Sequence, residues 1–185
     1  RERMEERELI RLAQGGDRQA LDALIRLHYR DIYRFLARKT ASAAAAEDLT
    51  QTVFLRFVQH LGSYTDRGLL RHYLLRLAVN TGNDYFRERK PSPPLEADET
   101  LPSLACIHRE AEQRELIRQA RALLAELPSA QRDVILLHVY HGLKFREIAG
   151  IVGCPSSTVK SRYRQGLQKI KISLKERGFD HYDES

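Results

Sequence analysis

Glu47-Asp48-Leu49-Thr50-Gln51-Thr52-Val53-Phe54 sets how the rest of this chain is read. Leu49, Val53, Phe54, Phe57, Val58 and Leu61 recur at three- and four-residue steps, the spacing that gathers side chains on one face of an α-helix. The opposite edge carries Asp48, Gln51, Thr52 and Gln59, short polar groups that a partner could read. The stretch predicts an amphipathic helix over about Ala44–Leu61, apolar towards a core and polar towards something outside it.

The same helical period extends in both directions. Upstream, a first helix over about Met4–Ala13 breaks at Gly15-Gly16-Asp17. Asp17 is a good N-cap, because its carboxylate accepts from unpaired N–H groups and complements the helix dipole. The helix it opens repeats Leu21, Leu24, Ile25, Tyr29, Ile32, Tyr33 and Leu36 as its core face. Downstream, a Gly62–Gly68 loop leads to a helix over about Leu69–Arg89, with Leu70, Leu74, Leu77, Ala78 and Tyr85 turned inward. Pro91, Pro93 and Pro94 then end the block, and about Lys90–Leu104 reads as a linker. Helical pattern resumes over about Ile107–Leu127 and halts at Pro128. Ser129 caps a helix through about Tyr140, which Gly142 ends, and two more helices precede a polar tail from Gly178. Alternating strand patterns are nearly absent. The expected fold is all-α: two small helical domains joined by a flexible linker, with segments 1–89, 90–106, 107–178 and 179–185.

Charge is distributed in blocks along the 185 residues, which carry 31 Lys and Arg against 25 Asp and Glu for a net charge of +6. Pro155–Arg177 holds Lys160, Arg162, Arg164, Lys169, Lys171, Lys175 and Arg177 against Glu176 alone. Arg71–Lys90 is basic as well, while Leu95–Glu115 between them is acidic. Two basic patches flanking an acidic bridge favour a polyanionic partner. Cys106 and Cys154 stand far apart with no CxxC pair, which points to a reducing compartment. No apolar run approaches the ~20 residues that span a bilayer, and no signal-peptide pattern opens the chain. The expected location is cytoplasmic, without membrane insertion.

The basic C-terminal block has the spacing of a helix-turn-helix. Lys144–Val152 forms a short helix, Gly153-Cys154-Pro155 a tight turn, and Ser156 or Ser157 can cap a following basic helix. At about 100° per residue, Val159, Tyr163, Gly166, Leu167 and Ile170 share one side of that helix. Lys160, Ser161, Arg164, Gln165 and Gln168 share the other, where Arg and Lys can donate to guanine edges or phosphates and Gln can pair with adenine. In the preceding block, Arg76, Asn80 and Asn83 form a polar stripe at helical spacing, suited to phosphate and base-edge contacts. The small polar loop before it, including Ser63 and Tyr64, could pocket a flipped-out base.

These words together resemble bacterial RNA polymerase sigma factors of the extracytoplasmic-function (ECF) group. Asp48–Phe54 resembles their core-polymerase-binding helix, and Leu-x-Arg-Leu-Ala-Val-Asn-Thr ending at Thr81 resembles the segment that recognises and opens the −10 element. Glu-Ile-Ala…Thr-Val-Lys-Ser-Arg, ending at Arg162, resembles the domain that reads the −35 element, and the likeness spans about Glu8–Leu174 in the expected order. The last motif also occurs in response regulators, so alone it does not separate the two. The resemblance implies a region 2-like domain at 1–89 and a region 4-like domain at 107–178. It further implies that Asp48, Gln51, Thr52 and Leu55 meet the β′ clamp helices of core RNA polymerase, and that the C-terminal domain meets the β flap. Ser63, Tyr64, Arg76, Asn80 and Asn83 would contact the −10 element; Ser157, Thr158, Lys160, Ser161, Arg164 and Gln165 the −35 element. An anti-sigma factor as inhibitor and a monomeric state away from partners belong to the same expectation. Thr52, Tyr73 and Gln165 depart from the usual acid, Trp and Arg.

No catalytic group, cofactor or metal is expected. His138 and His141 lie three apart without a third ligand, Cys106 and His108 read as a free thiol and a surface imidazole, and Cys154 as a packing residue. No P-loop, dinucleotide fingerprint or HExxH occurs. The competing readings are a dimeric helix-turn-helix regulator of duplex DNA and a nucleic-acid-processing enzyme.

Overall fold

The computed structural model describes residues 2–89 and 109–179, with side chains from 5–89 and 113–179. The expected linker at 90–106, Cys106, His108 and tail residues 180–185 lie outside the described residues. Among the described residues all regular structure is helical, and the chain divides into two compact units.

In the first unit several helix boundaries have a local cause. Helix α1 (Glu2–Gln14) stops at the glycine pair, and Asp17 caps α2 (Arg18–Thr40), accepting from the N–H groups of Gln19 and Ala20 at 2.8 and 3.1 Å. Ala41 turns left-handed to close α2, and Ser42 caps α3 (Ala43–His60) by accepting from Ala45 N–H at 3.2 Å. A 3-10 turn, Leu61–Ser63, leads from α3 into the loop before α4 (Leu70–Glu88). Helix α2 packs against α1, α3 and α4, burying Leu24, Ile32, Phe35, Leu36, Val53, Phe57, Leu70, Leu74 and Leu75. Each such side chain contributes about 1.5–3 kcal/mol of burial, so this cluster fixes the relative placement of the four helices.

The expected core face of α2 is only partly right. Leu24, Ile32 and Leu36 are buried, but Tyr29 reaches the surface, stacked between Tyr33 and Phe54 at 6.5 and 5.9 Å. An amphipathic ring can cover core at its edge while its hydroxyl stays wet, which a binary apolar pattern does not register. On α3, Val58 also faces outward, 39 % exposed.

The C-terminal helices are α5 (Arg109–Glu126), α6 (Ser129–Ile135), α7 (Phe145–Val152) and α8 (Ser156–Glu176). Helix α6 widens into a π turn, Leu136–Tyr140, in which His141 N–H donates to Leu136 O at 3.3 Å. A single α-helix to Tyr140 was the expectation. Leu136 and Leu137 are buried here, and the His138 ring stacks on Phe145 at 4.4 Å and meets Tyr163 edge-on at 4.9 Å. Neither Ser129 nor Ser156 or Ser157 acts as the cap expected of it. Pro128 and Pro155 hold the two N-cap positions, without a side-chain cap bond. Their ring-fixed φ sets the entry and their carbonyls accept the first helical bonds, from Arg132 at 3.0 Å and Val159 at 3.1 Å. The serine that follows each proline is thereby the first helical residue. Helix α8 seats on α6 through Val159 and Gly166; a Cβ on Gly166 would lie 2.7 Å from Ile135 Cδ1, so the close approach needs glycine.

Candidate polymerase and nucleic-acid interfaces

Helix α3 presents one continuous outward face. Asp48, Gln51 and Leu55 are exposed at successive turns, Leu55 to 58 %. Thr52 beside them is half-buried, and its hydroxyl donates to Asp48 O at 3.0 Å, which occupies the side chain on its own helix. An exposed apolar Leu one turn beyond an acid and an amide is a surface that gains by being covered. Behind this face Arg56 reaches α4, donating to Thr81 Oγ1 at 3.0 Å and pairing with Asp84 at 3.4 Å, so α3 and α4 are locked side by side.

The stripe on α4 is less uniform than its spacing. Arg76 and Asn80 are exposed. Asn83 is half-buried, and its Oδ1 accepts from Lys39 Nζ at 2.9 Å. Ser63 is exposed in the loop before α4, whereas Tyr64 packs its ring against Tyr73 at 5.0 Å and Phe57 at 6.4 Å. Burial first, then the nearby Asp66, push the Tyr64 phenol from 10.0 up to about 12. It is a neutral hydroxyl at any physiological pH. Tyr73 thus holds a packing place in this cluster.

On α8 the exposed face carries Ser157, Lys160, Ser161, Arg164, Gln165 and Gln168, with Thr158 half-buried at its edge. Gln165 is held in place: its Nε2 donates to Ser161 Oγ at 3.4 Å and its Oε1 accepts from Gln131 at 3.3 Å. Arg162 turns aside, donating to Cys154 Sγ at 3.6 Å in the turn, so Cys154 packs within the motif. Leu167, assigned to the inward side from its spacing, is exposed. A short helix, a tight turn and a longer basic helix on a buried Val159 give the geometry that enters a major groove. Among the described residues, no group of three His, Cys, Asp or Glu is placed to hold a metal ion, and no helix is long and apolar enough to cross a membrane.

Several contributing residues left no mark in the sequence pattern. Gln14, Arg7, Lys39 and Arg56 act across 25 to 59 positions of sequence, from Arg56 with Thr81 to Arg7 with Asp66. Local periodicity carries no information about such pairs.

Two family models match in order: Sigma-70 region 2 over residues 24–91 and Sigma-70 region 4 over residues 117–170. The ECF RNA polymerase sigma factor SigC of Mycobacterium tuberculosis is 30 % identical over 150 residues, covering 81 % of this chain and 80 % of that protein. Among solved structures, CnrH in complex with the cytosolic domain of CnrY superposes with a TM-score of 0.70 at 21 % identity, over 93 % of this chain and 98 % of that one. The sigma factor RpoE in complex with the anti-sigma factor NepR from Bartonella quintana gives 0.64 at 20 % identity, over 83 % and 96 %. These two share the fold.

A two-unit helical fold with matched regions 2 and 4 defines a promoter-specificity subunit of the sigma-70 kind. The chain belongs to the ECF group of bacterial RNA polymerase sigma factors. It directs promoter recognition and transcription initiation by RNA polymerase, in a family of non-enzymatic initiation factors.

Proposed function

We propose that the exposed faces divide the work of initiation among them. Asp48, Gln51, Thr52 and Leu55 dock on the β′ clamp helices of core polymerase, and the C-terminal domain meets the β flap. Ser157, Thr158, Lys160, Ser161, Arg164 and Gln165 fix register on the duplex −35 element through phosphates and a few base edges. Ser63, Tyr64, Arg76, Asn80 and Asn83 hold the −10 element, with capture of unstacked bases driving the duplex open. The observation that carries this reading is an exposed Asp48–Gln51–Leu55 face in the same chain as the exposed Lys160–Arg164 face of α8. A dimeric duplex-binding regulator needs the second and has no use for the first.

On this reading the working segments are 1–89, an acidic linker at 90–106, 107–178 and a tail at 179–185. The linker's charge suits a basic channel of the polymerase. The protein acts in the cytoplasm, without catalysis or cofactor of its own, and is a monomer away from its partners. An anti-sigma factor holds it inactive by covering the polymerase-binding surfaces, as a protein of the same fold is bound by the anti-sigma factor NepR. The test is reconstitution: added to core polymerase, the chain confers initiation at specific promoter fragments, and failure to bind core sinks the proposal.

A further inference from the structure

The loop between α3 and α4 has few bonds of its own. Tyr64 N–H donates to Leu61 O at 3.1 Å, Ser63 Oγ to His60 O at 3.1 Å, and Gly68 N–H to Asp66 Oδ1 at 2.7 Å. Two side chains of α1 add three further ties. Gln14, the last residue of that helix, donates from Nε2 to Leu61 O at 3.0 Å and to Tyr64 O at 2.7 Å. Arg7, two turns earlier, pairs with Asp66 at 3.3 Å. One amide group thus spends both its hydrogens on carbonyls three residues apart, which bracket Gly62 and Ser63.

We propose that Gln14 is a positioning residue for base capture, fixing the Leu61–Tyr64 backbone so that Ser63 stands ready for an unstacked base. The inference rests on the reading of this loop as a −10 contact. Leu61 and Tyr64 are the inward anchors, and the Tyr64 ring is pinned on Tyr73 and Phe57, while Gly62, Ser63 and Thr65 face outward. The two inward anchors therefore flank the outward Gly62 and Ser63. A loop ordered in advance spares the incoming base the entropy of fixing it, which is what separates a selective pocket from a merely polar one. Both acceptors are carbonyl oxygens, so the position requires a donor. Gln14→Glu keeps the shape and places a carboxylate against two carbonyls. Gln14→Lys keeps donation.

The experiment uses holoenzyme assembled from the full chain and core polymerase, with a library of single-stranded DNA randomised over a short stretch as the probe. Wild type enriches a sequence motif. Gln14→Glu weakens preference at one or more positions of that motif by about tenfold, as loss of two hydrogen bonds of ordinary strength implies, and Gln14→Lys restores it. The charge that either variant adds shifts affinity for all sequences alike and leaves selectivity untouched. A motif unchanged in Gln14→Glu overturns the positioning role; no motif from wild type overturns the base-capture reading, and the role with it. Amide hydrogen exchange on the free protein separates the two further. Residues Gly62–Gly68 exchange faster in Gln14→Glu with the rest of the unit unaltered, and unchanged protection there overturns the proposal whatever the DNA does.

Discussion

Lys39 crosses α4 at Gly82: its Cε and Cδ lie 2.5 and 2.7 Å from where a Cβ on Gly82 would stand. The lysine is 0 % exposed, bonded to Asn83 and 5.9 Å from the centre of the Phe86 ring. A buried ammonium is tolerable only with such partners, and they leave it little freedom to move aside. Gly82→Ala is therefore expected to destabilise the first unit by about 1–3 kcal/mol in urea unfolding. In an open helix the same change would gain up to ~1 kcal/mol. In a Lys39→Ala background the cost of Gly82→Ala shrinks, and additivity of the two changes would show that the packing is misread.

Arg132 closes the C-terminus of α5. Its guanidinium donates to the carbonyls of Leu124, Ala125 and Leu127 at 2.8, 2.5 and 2.8 Å, and burial pushes its pKa down. Leu124 O also accepts from Leu127 N–H at 3.3 Å, so the side chain adds hydrogen bonds and a favourable charge to the carbonyls at this helix end. Arg132→Met should cost about 2–4 kcal/mol by chemical unfolding, because three carbonyls at the helix end lose a charged donor. Arg132→Lys recovers only part of it, since an ammonium lacks the planar fork.

How far the sequence carried is visible from these two sites. The Asp48–Phe54 helix, the Asp17 cap and the two-helix reader were legible because each depends on local spacing and capping. Lys39 and Arg132 were not. Their roles depend on carbonyls and glycines brought in by tertiary packing, and charged residues at such positions look like surface. Asn83 shows the intermediate case: its face was legible, but Lys39's hold on its carbonyl was not. The proline N-caps were misread because a following serine matches the usual cap pattern.

Tyr64 makes stability depend on alkaline pH. Its folded pKa is raised from 10.0 to about 12, so the unfolded chain loses this proton first. Between those values the unfolded state binds fewer protons, and stability falls as pH rises. The contribution is fully present below 10 and lost through 12. Wild type should lose stability more steeply over that range than Tyr64→Phe, compared by urea midpoints at matched pH. Parallel curves would mean the phenol is freely solvated.

Arg164 is exposed on the reading face of α8. Arg164→Ala is expected to cost about 1–3 kcal/mol of duplex promoter affinity and to relax preference at one base pair. Filter or fluorescence binding to a −35 duplex checks it. Unchanged affinity would mean that a different face of the helix enters the groove.

Docking on RNA polymerase through α3 is what every other role of this chain depends on. Its most direct test is the affinity of the purified full chain for core polymerase, with Gln51→Ala and Leu55→Ala alongside. Both side chains are exposed, so the variants should fold with unchanged melting behaviour. Wild type is expected to bind tightly and each variant to lose roughly tenfold or more, the scale of a residue costing above 1 kcal/mol at an interface. Binding that neither substitution weakens, or no binding by well-folded wild type, would contradict it.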